Sequence, residues 1–350
     1  MSLIQNLPAG SLDVVGDVHG QFEALQNLLH YLGYRPDGSH PQGRKLVFVG
    51  DLADRGPDSP AVFEWFRQAY RAGNALMVLG NHELNLLNRE AKDGSGWFFH
   101  QRAQLDEPNY APWSRLPENG KQALWDLLKR QPIILQRADL RIVHAAWLPN
   151  AVSRLLDCVE QKCPSEYYGE WDDELNCCIK HAPWFDDYLA EQRLHAHGLE
   201  NPSIVPPLMP ATAAHDVYRN SSHPMRALVC GTEKAAAEPF FAGGRWRFSV
   251  RDAWWDDYRD NAHVIVGHYW RPWFTHMPQP KHRQGMFDFP SNHWHGARKN
   301  VFCIDFSVGA RWRDRKRNIA PTDSQYRLAA MRWPEKILVF DNGETVETVV

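Results

Sequence analysis

Long apolar runs, cysteine and an excess of either charge are all scarce in this sequence. No run approaches the roughly 18 apolar residues that a membrane span needs, and the start MSLIQNLPAG lacks the basic and apolar parts of an export signal. The 39 Lys and Arg nearly balance the 42 Asp and Glu, which argues against a nucleic-acid-binding charge over the whole molecule. Six cysteines in 350 residues are too few for a disulfide scaffold. We therefore expect a cytoplasmic protein without membrane contact.

Short apolar runs that end in a polar cluster are the most informative feature present. Residues 12–15, 46–49 and 75–79 precede the motifs GDVHG, GDLADRG and GNHE. Helical patterns separate them: one covers 22–32, and the second begins at Pro60 with Ser59 as the expected N-cap and ends before Gly73. Three later runs lead in the same way to His144, to His268 and to Asp305. In α/β sheets the active groups gather beyond the carboxyl ends of the strands. The pattern predicts an α/β protein with its polar clusters at one rim.

The residues in these clusters are suited to binding metal ions. Asp17, His19, Asp51, Asn81 and His82 each follow directly after a predicted strand. Carboxylate, carboxamide and imidazole together favour Mn, Fe, Zn or Ni over a soft copper site or an all-oxygen magnesium site.

The three motifs, in this order, resemble the signature of the phosphoprotein phosphatase (PPP) group of calcineurin-like metallophosphoesterases. The HAA at His144 and the GH at 267–268 are similar to the two downstream histidine motifs of the group. The segment VGDLADRGPDS is more similar to bacterial members than to eukaryotic serine/threonine phosphatases. The resemblance covers residues 10–150 and 225–310. It implies a β-sandwich flanked by helices (αββα) with a helical insertion, and hydrolysis of phosphate esters by direct attack of a metal-bridging hydroxide.

Site roles follow from the resemblance, motif by motif. It implies that one metal is held by Asp17, His19 and Asp51, and the second by Asp51, Asn81, His144 and His268. We expect two divalent transition-metal ions, with Mn favoured and Fe, Zn or Ni open.

Catalytic roles are expected from four further residues. His82 is the expected general acid, with Asp54 orienting it, and Arg55 is expected to bind phosphoryl oxygens. A second phosphate-binding arginine is expected before the last histidine motif, where we favour Arg251 over Arg247.

The domain division and the substrate are the broader expectations. We predict a catalytic domain from residues 1–150 and 225–350, and a predominantly helical insertion or lid from 150–225. The favoured substrate is a phosphoprotein (serine/threonine or tyrosine). The alternatives are a symmetrical dinucleoside polyphosphate, a nucleic-acid-end phosphate, and, outside enzymes, a metal-dead binding scaffold. The oligomeric state and any nucleic-acid partner stay open.

Three kinds of neighbouring residue complete the predictions. Glu83 is expected to cap or steady the helix that begins at GNHE, and Asp305 to hydrogen-bond loop backbone rather than metal. Tryptophans that flank the catalytic loops are candidates for stacking on a nucleobase; they are Trp97, Trp147, Trp254, Trp255 and Trp270.

Overall fold

The structure is a computed structural model that describes residues 2–274 and 286–350. Its strands are β1 (Ile4–Asn6), β2 (Leu12–Val15), β3 (Lys45–Phe48), β4 (Ala75–Met77), β5 (Ile134–Gln136), β6 (Leu140–Val143), β7 (Glu233–Ala242), β8 (Arg245–Arg251), β9 (His263–Val266), β10 (Val301–Cys303), β11 (Ala329–Trp333), β12 (Ile337–Phe340) and β13 (Thr345–Glu347). Its helices are α1 (Phe22–Leu32), α2 (Ser59–Arg71), α3 (Asn81–Leu87), α4 (His100–Tyr110), α5 (Glu118–Leu128), α6 (Pro149–Leu156), α7 (Pro164–Lys180), α8 (Phe185–His195), α9 (Pro210–Ser222), α10 (Pro224–Cys230) and α11 (Arg311–Lys316).

Two stacked sheets form the centre of the molecule. One has the strand order β1-β5-β6-β9-β10 and the other the order β13-β12-β11-β2-β3-β4. Apolar side chains of both sheets, such as Val14 and Ile265, are fully buried in one shared cluster. A second cluster joins the outer sheet faces to helix residues such as Leu25 and Phe66. Because helices cover sheets that pack face to face, the predicted αββα sandwich of the α/β class is confirmed.

Local signals explain where most elements begin and end. Helix α1 ends at Gly33, whose φ of 88° is the left-handed conformation that glycine adopts without strain. Helix α2 is capped by Asp58, one residue earlier than predicted, because the Asp58 carboxylate accepts the Ala61 N–H at 3.1 Å.

Helix α4 lies in a stretch whose sequence shows little helical periodicity and has Pro108 inside it. Tertiary contacts compensate for this weak local signal. Buried Asp106 accepts the Gly96 N–H at 2.8 Å, and Tyr110 is buried on the same helix.

The segment between β6 and β9 holds helices α6 to α10 and the hairpin β7–β8. The hairpin packs against α9 through a small separate core formed by Leu199, Met209, Ala213, Trp246 and Phe248. Although the hairpin follows residue 225, it therefore packs with the helices that precede that boundary. Within residues 2–274 and 286–350, we find no helix with the length and apolar character to cross a bilayer.

Candidate metal and phosphate site

Polar side chains from both sheets meet at one rim of the sandwich. Asp17, Asp51 and Asn81 follow β2, β3 and β4, which are parallel neighbours in the six-stranded sheet. His144 and His268 follow β6 and β9, which are parallel neighbours in the five-stranded sheet. The carboxyl ends of these strands thus bring together residues that are more than 250 positions apart in the chain, as the sequence pattern predicted.

Asp51 lies at the centre of this arrangement. Its Oδ2 atom is 3.2 Å from His144 Nε2 and 3.8 Å from His19 Nε2. The Asn81 amide oxygen is 3.2 Å from His144 Nε2 and 2.9 Å from His268 Nδ1. Ligand atoms of Asp51, His144 and His268 all lie within 4.8 Å of one another, so these residues could share one cation.

Asp17 supplies a carboxylate oxygen that is buried without a partner. Its Oδ2 atom accepts the His268 backbone N–H at 3.0 Å, while Oδ1 has no hydrogen-bond partner among the described residues. Residue 267 is glycine because a Cβ there would collide with this Oδ1 atom. Burial and the neighbouring Asp305 raise the pKa of Asp17 well above its ordinary value. Such an oxygen needs a cation or a proton.

Two of the histidines are oriented by backbone carbonyls. His19 Nδ1 donates to the Ala53 carbonyl at 2.9 Å, and His144 Nδ1 donates to the Val49 carbonyl at 2.8 Å. This fixes each ring with its Nε2 lone pair directed into the site, which is the arrangement of metal-ligating histidines.

The charges in the site suit cation binding. Burial would raise the pKa of Asp51, but the His144 and His82 imidazoles hold it well below its ordinary value. Burial lowers the pKa of His144, yet Asp51 outweighs it and raises the value to about 10, so positive charge is favoured at Nε2, where a bound cation would replace the proton. Burial and the charge of Arg251 lower the pKa of His268 well below its ordinary value, so this imidazole is neutral at pH 7 with a free lone pair. Mixed oxygen and nitrogen donors of this kind fit divalent transition metals.

Several residues in the site loops have a positive φ, a backbone conformation that residues other than glycine rarely adopt. Of the 11 non-glycine residues with positive φ in the described chain, six belong to these loops. They are His19, Asp51, Asp54, Arg55, His268 and Trp270. Strain of this kind persists where the surrounding structure enforces a functional geometry.

Glu83 caps α3, as predicted, and also fixes the neighbouring loop. Its carboxylate accepts the N–H groups of Gly80 at 3.0 Å and of Asp51 and Leu52 at 2.8 Å each. The link to the Asp51 loop was missed, because only the fold brings residues 51 and 83 together.

Asp305 contacts loop backbone, which confirms its prediction. Its carboxylate accepts the N–H groups of Trp270 at 2.7 Å and Ser307 at 2.8 Å.

A buried chain of hydrogen bonds through Asp54 and Trp97 orients His82. Its Nδ1 atom lies 2.5 Å from Asp54 Oδ2, and the other Asp54 oxygen accepts the Trp97 indole N–H at 2.5 Å. His82 Nε2 is thereby directed toward the site, 3.9 Å from Asp51 Oδ2. The atoms of His19, Asp51 and His82 also form a second group that could hold a cation.

Arg55 borders the same space. Its Nη1 atom is 3.1 Å from His19 Nε2, and its guanidinium lies 4.6 Å from the centre of the Trp270 ring. Trp270 is partly exposed, whereas the other four candidate tryptophans are buried, with exposed fractions of 2% to 5%. The stacking hypothesis is therefore wrong for Trp97, Trp147, Trp254 and Trp255.

The two candidate arginines of β8 lie in different surroundings. Arg251 packs its guanidinium 5.5 Å from the centre of the Tyr269 ring, next to His268. Arg247 instead donates to the Ala242 carbonyl at 3.2 Å, near the hairpin turn. Only Arg251 adjoins the site.

Comparison with known proteins agrees with this geometry. Residues 11–194 match the family described as calcineurin-like phosphoesterase, which is more than half of the chain. The protein belongs to the calcineurin-like phosphoesterase family. The family uses a dimetal centre, and the residues above include groups that could hold cations.

Curated relatives are similar over the catalytic part. An asymmetrical bis(5'-nucleosyl)-tetraphosphatase of Oceanobacillus iheyensis is 33% identical over 138 residues, 38% of this chain and 54% of that protein. A symmetrical bis(5'-nucleosyl)-tetraphosphatase of Chromobacterium violaceum is 34% identical over 184 residues, 51% of this chain and 60% of that protein. The chain thus spans little more than half the length of these relatives.

Among solved structures, a cold-active protein-tyrosine phosphatase of a Shewanella species is 17% identical. The similarity covers 100% of this chain and 83% of that one, with a TM-score of 0.47.

Proposed function

We propose that this protein hydrolyses dinucleoside polyphosphates at a two-cation centre. The observation that carries the proposal is the similarity of the catalytic part to bis(5'-nucleosyl)-tetraphosphatases, at 33% and 34% identity. It favours the dinucleoside polyphosphate, one of the alternatives left open by the sequence, over a phosphoprotein substrate. The relatives include both symmetrical and asymmetrical enzymes, so the bond that is cleaved is a matter for experiment.

The proposed ligands of one cation are Asp17, His19 and Asp51. The second cation is assigned to Asp51, Asn81, His144 and His268. The unpartnered Asp17 oxygen and the directed Nε2 atoms of His19 and His144 support this set. Two divalent cations, with manganese favoured, would activate water and neutralise the phosphoryl charge.

The protein's own side chains supply the remaining functions. His82 is the proposed proton donor to the leaving oxygen, because the bond from Nδ1 to Asp54 fixes the ring with Nε2 directed toward the site. Arg55 binds phosphoryl oxygens with its planar guanidinium, held against Trp270. Arg251, beside His268, is the proposed second phosphate ligand.

Product analysis with diadenosine tetraphosphate tests the proposal. The purified protein is incubated with Mn²⁺, and the nucleotides are separated by chromatography. Two ADP indicate symmetrical cleavage, and ATP with AMP indicates asymmetrical cleavage.

Peptides that carry phosphoserine or phosphotyrosine serve as competing substrates, and a chelator as the blank. A kcat/KM for peptides well above that for the dinucleotide would overturn the proposal.

A further inference from the structure

A cavity of about 910 Å³ lies between α9 and the hairpin β7–β8. Cationic side chains dominate its lining: Lys234 from β7, Arg219 from α9, and Arg245, Arg247 and Arg251 from β8. We call it the arginine cavity. It has no part in the site described above except through Arg251.

The alternating sequence RWRFSVR of β8 creates this lining. Successive side chains of a strand alternate in direction: Trp246 and Phe248 are buried in the small core, whereas Arg245, Arg247 and Arg251 line the cavity. The arginine row from residue 245 to 251 extends over about 20 Å, at 3.4 Å for each residue of the strand. That length suits an extended anion better than a single phosphate group.

The arginine cavity has more positive charge than the protein around it. Five cations face only two carboxylates, Asp216 and Glu233, whereas the whole chain carries a net charge of −3. Both carboxylates already have partners: Glu233 accepts the Ser249 hydroxyl at 2.5 Å, and Asp216 lies 3.1 Å from His215 Nδ1.

Three of the cations are available for a ligand. Lys234 pairs with Asp252 at 3.2 Å, and Arg247 donates to a backbone carbonyl. Across residues 2–274 and 286–350, by contrast, Arg219, Arg245 and Arg251 have no carboxylate within 4.0 Å. Unpaired guanidinium groups in a concave surface attract and bind anions such as phosphates.

Arg251 connects the arginine cavity with the metal site. It lines the cavity, and its guanidinium lies 5.5 Å from the centre of the ring of Tyr269, the residue after the metal-ligand candidate His268. Near the hairpin turn, Phe240 also lines the cavity, and 38% of its surface is exposed. Arg251 thus lines the cavity and also lies close to His268 of the metal site.

We propose that the arginine cavity binds the part of the substrate beyond the scissile phosphate. Arg219 and Arg245 contact the oligophosphate chain, and Phe240 stacks on the distal base. The identity of this ligand as a dinucleoside polyphosphate rests on the proposed function. The cavity would then select long polyphosphate substrates over simple phosphate monoesters.

Kinetics with a long and a short substrate test this role. The double variant Arg219→Ala/Arg245→Ala is compared with wild type on diadenosine tetraphosphate and on an aryl phosphate, which reaches only the metal site. Each lost charge-assisted contact costs about 10-fold, so KM for the tetraphosphate is expected to rise by roughly 100-fold, while kcat/KM for the aryl phosphate stays within about twofold.

The matched control is Arg193→Ala, which removes an exposed arginine from α8 outside the arginine cavity. It should leave both substrates unaffected. Equal losses for both substrates in the double variant, or an unchanged KM for the tetraphosphate, would overturn the proposal.

A second measurement tests anion binding in the arginine cavity independently of the proposed dinucleoside polyphosphate hydrolysis. If wild type does not cleave diadenosine tetraphosphate, inorganic tripolyphosphate is used as an inhibitor of aryl phosphate hydrolysis at a fixed free-metal concentration. The double variant should then show an inhibition constant at least about 10-fold above wild type. Equal inhibition constants, or no inhibition of wild type, would refute anion binding in the cavity. The control variant Arg193→Ala should have the same inhibition constant as wild type.

Discussion

Asp51 contacts more of the site than any other single side chain described here. Its carboxylate lies near His19, His82 and His144, and it is the proposed ligand of both cations. Asp17, by contrast, belongs to only one of the two proposed ligand sets. Aspartate-to-asparagine changes at these two positions are the same in size, so they isolate the effect of bridging.

We predict that Asp51→Asn loses far more activity than Asp17→Asn, by at least about 10-fold, because a bridging carboxylate sets the separation of both cations. Elemental analysis of the two purified variants should find fewer ions per chain in Asp51→Asn. Two bound ions with near-normal turnover in Asp51→Asn would exclude bridging.

His82 and Arg55 should respond differently to the leaving group. If His82 donates a proton, His82→Ala should lose roughly 10²- to 10⁴-fold in rate on a poor leaving group such as an alkyl phosphate, and much less on an activated aryl phosphate. Metal content should be unchanged. Steady-state rates on the two substrates are the measurement. Equal losses on both would assign His82 to phosphate or metal binding instead.

Arg55→Ala is the matched comparison for that experiment. Its guanidinium is assigned to phosphoryl oxygens, which every substrate shares, so both leaving groups should be affected alike. A loss that depended on the leaving group would contradict this role.

At the scale of elements, the start of helix α10 depends on one histidine. Buried His223 accepts the Arg226 N–H through Nδ1 at 3.1 Å and donates through Nε2 to the Tyr168 carbonyl of α7 at 3.2 Å. Only the neutral ring can accept and donate in this way. Burial lowers the pKa of His223 to about 4. Helices α7 and α10 are therefore joined by a contact that protonation breaks.

This contact predicts a pH dependence of stability. The ordinary pKa of 6.5 in the unfolded chain exceeds the folded value, so the unfolded state binds the proton more readily. The stabilisation is complete above pH 6.5 and is lost as the pH falls toward 4. We expect a loss of about 2 kcal/mol between pH 7 and pH 5.

Denaturant titrations of wild type and His223→Asn measure this loss. Asparagine can still cap the helix but does not titrate, so the difference between the two proteins isolates His223. A difference that stays constant across this pH range would show that His223 does not contribute to the pH dependence.

At the scale of the whole molecule, the candidate ligands join the two sheets. Asp17, Asp51 and Asn81 extend from the six-stranded sheet, and His144 and His268 from the five-stranded sheet. Cations bound among them would link the two layers of the sandwich.

Metal removal should therefore lower the stability of the catalytic core. A ligand at 100 times its dissociation constant stabilises the folded state by about 2.7 kcal/mol for each site. We expect the thermal unfolding midpoint to be higher by a few degrees with Mn²⁺ than with a chelator. Asp51→Asn should show a smaller difference. Identical midpoints for wild type in the two conditions would contradict cation binding across the sheets.

The sequence by itself determined the strands that lead into the site and the candidate residues of the site. Strands that end in Asp17, Asp51 and His144 could be recognised because apolar runs, turn glycines and polar clusters are local patterns. The spacing of three motifs, one strand and one helix apart, indicated an α/β protein, and their resemblance to metallophosphoesterases implied the αββα sandwich. Local information was weaker for α4, whose periodicity is poor and whose stability comes from contacts such as that of Asp106.

Only the tertiary structure decided which distant residues meet. Glu83 binds the Asp51 loop, Trp97 is buried against Asp54 rather than exposed for stacking, and the arginines of β8 form a cavity with Arg219. Each depends on how helices and sheets pack, and packing is set by the summed burial of many side chains rather than by any local pattern. The alternation in β8 is visible along the chain, but Arg219 of α9 joins the β8 arginines only when the chain folds.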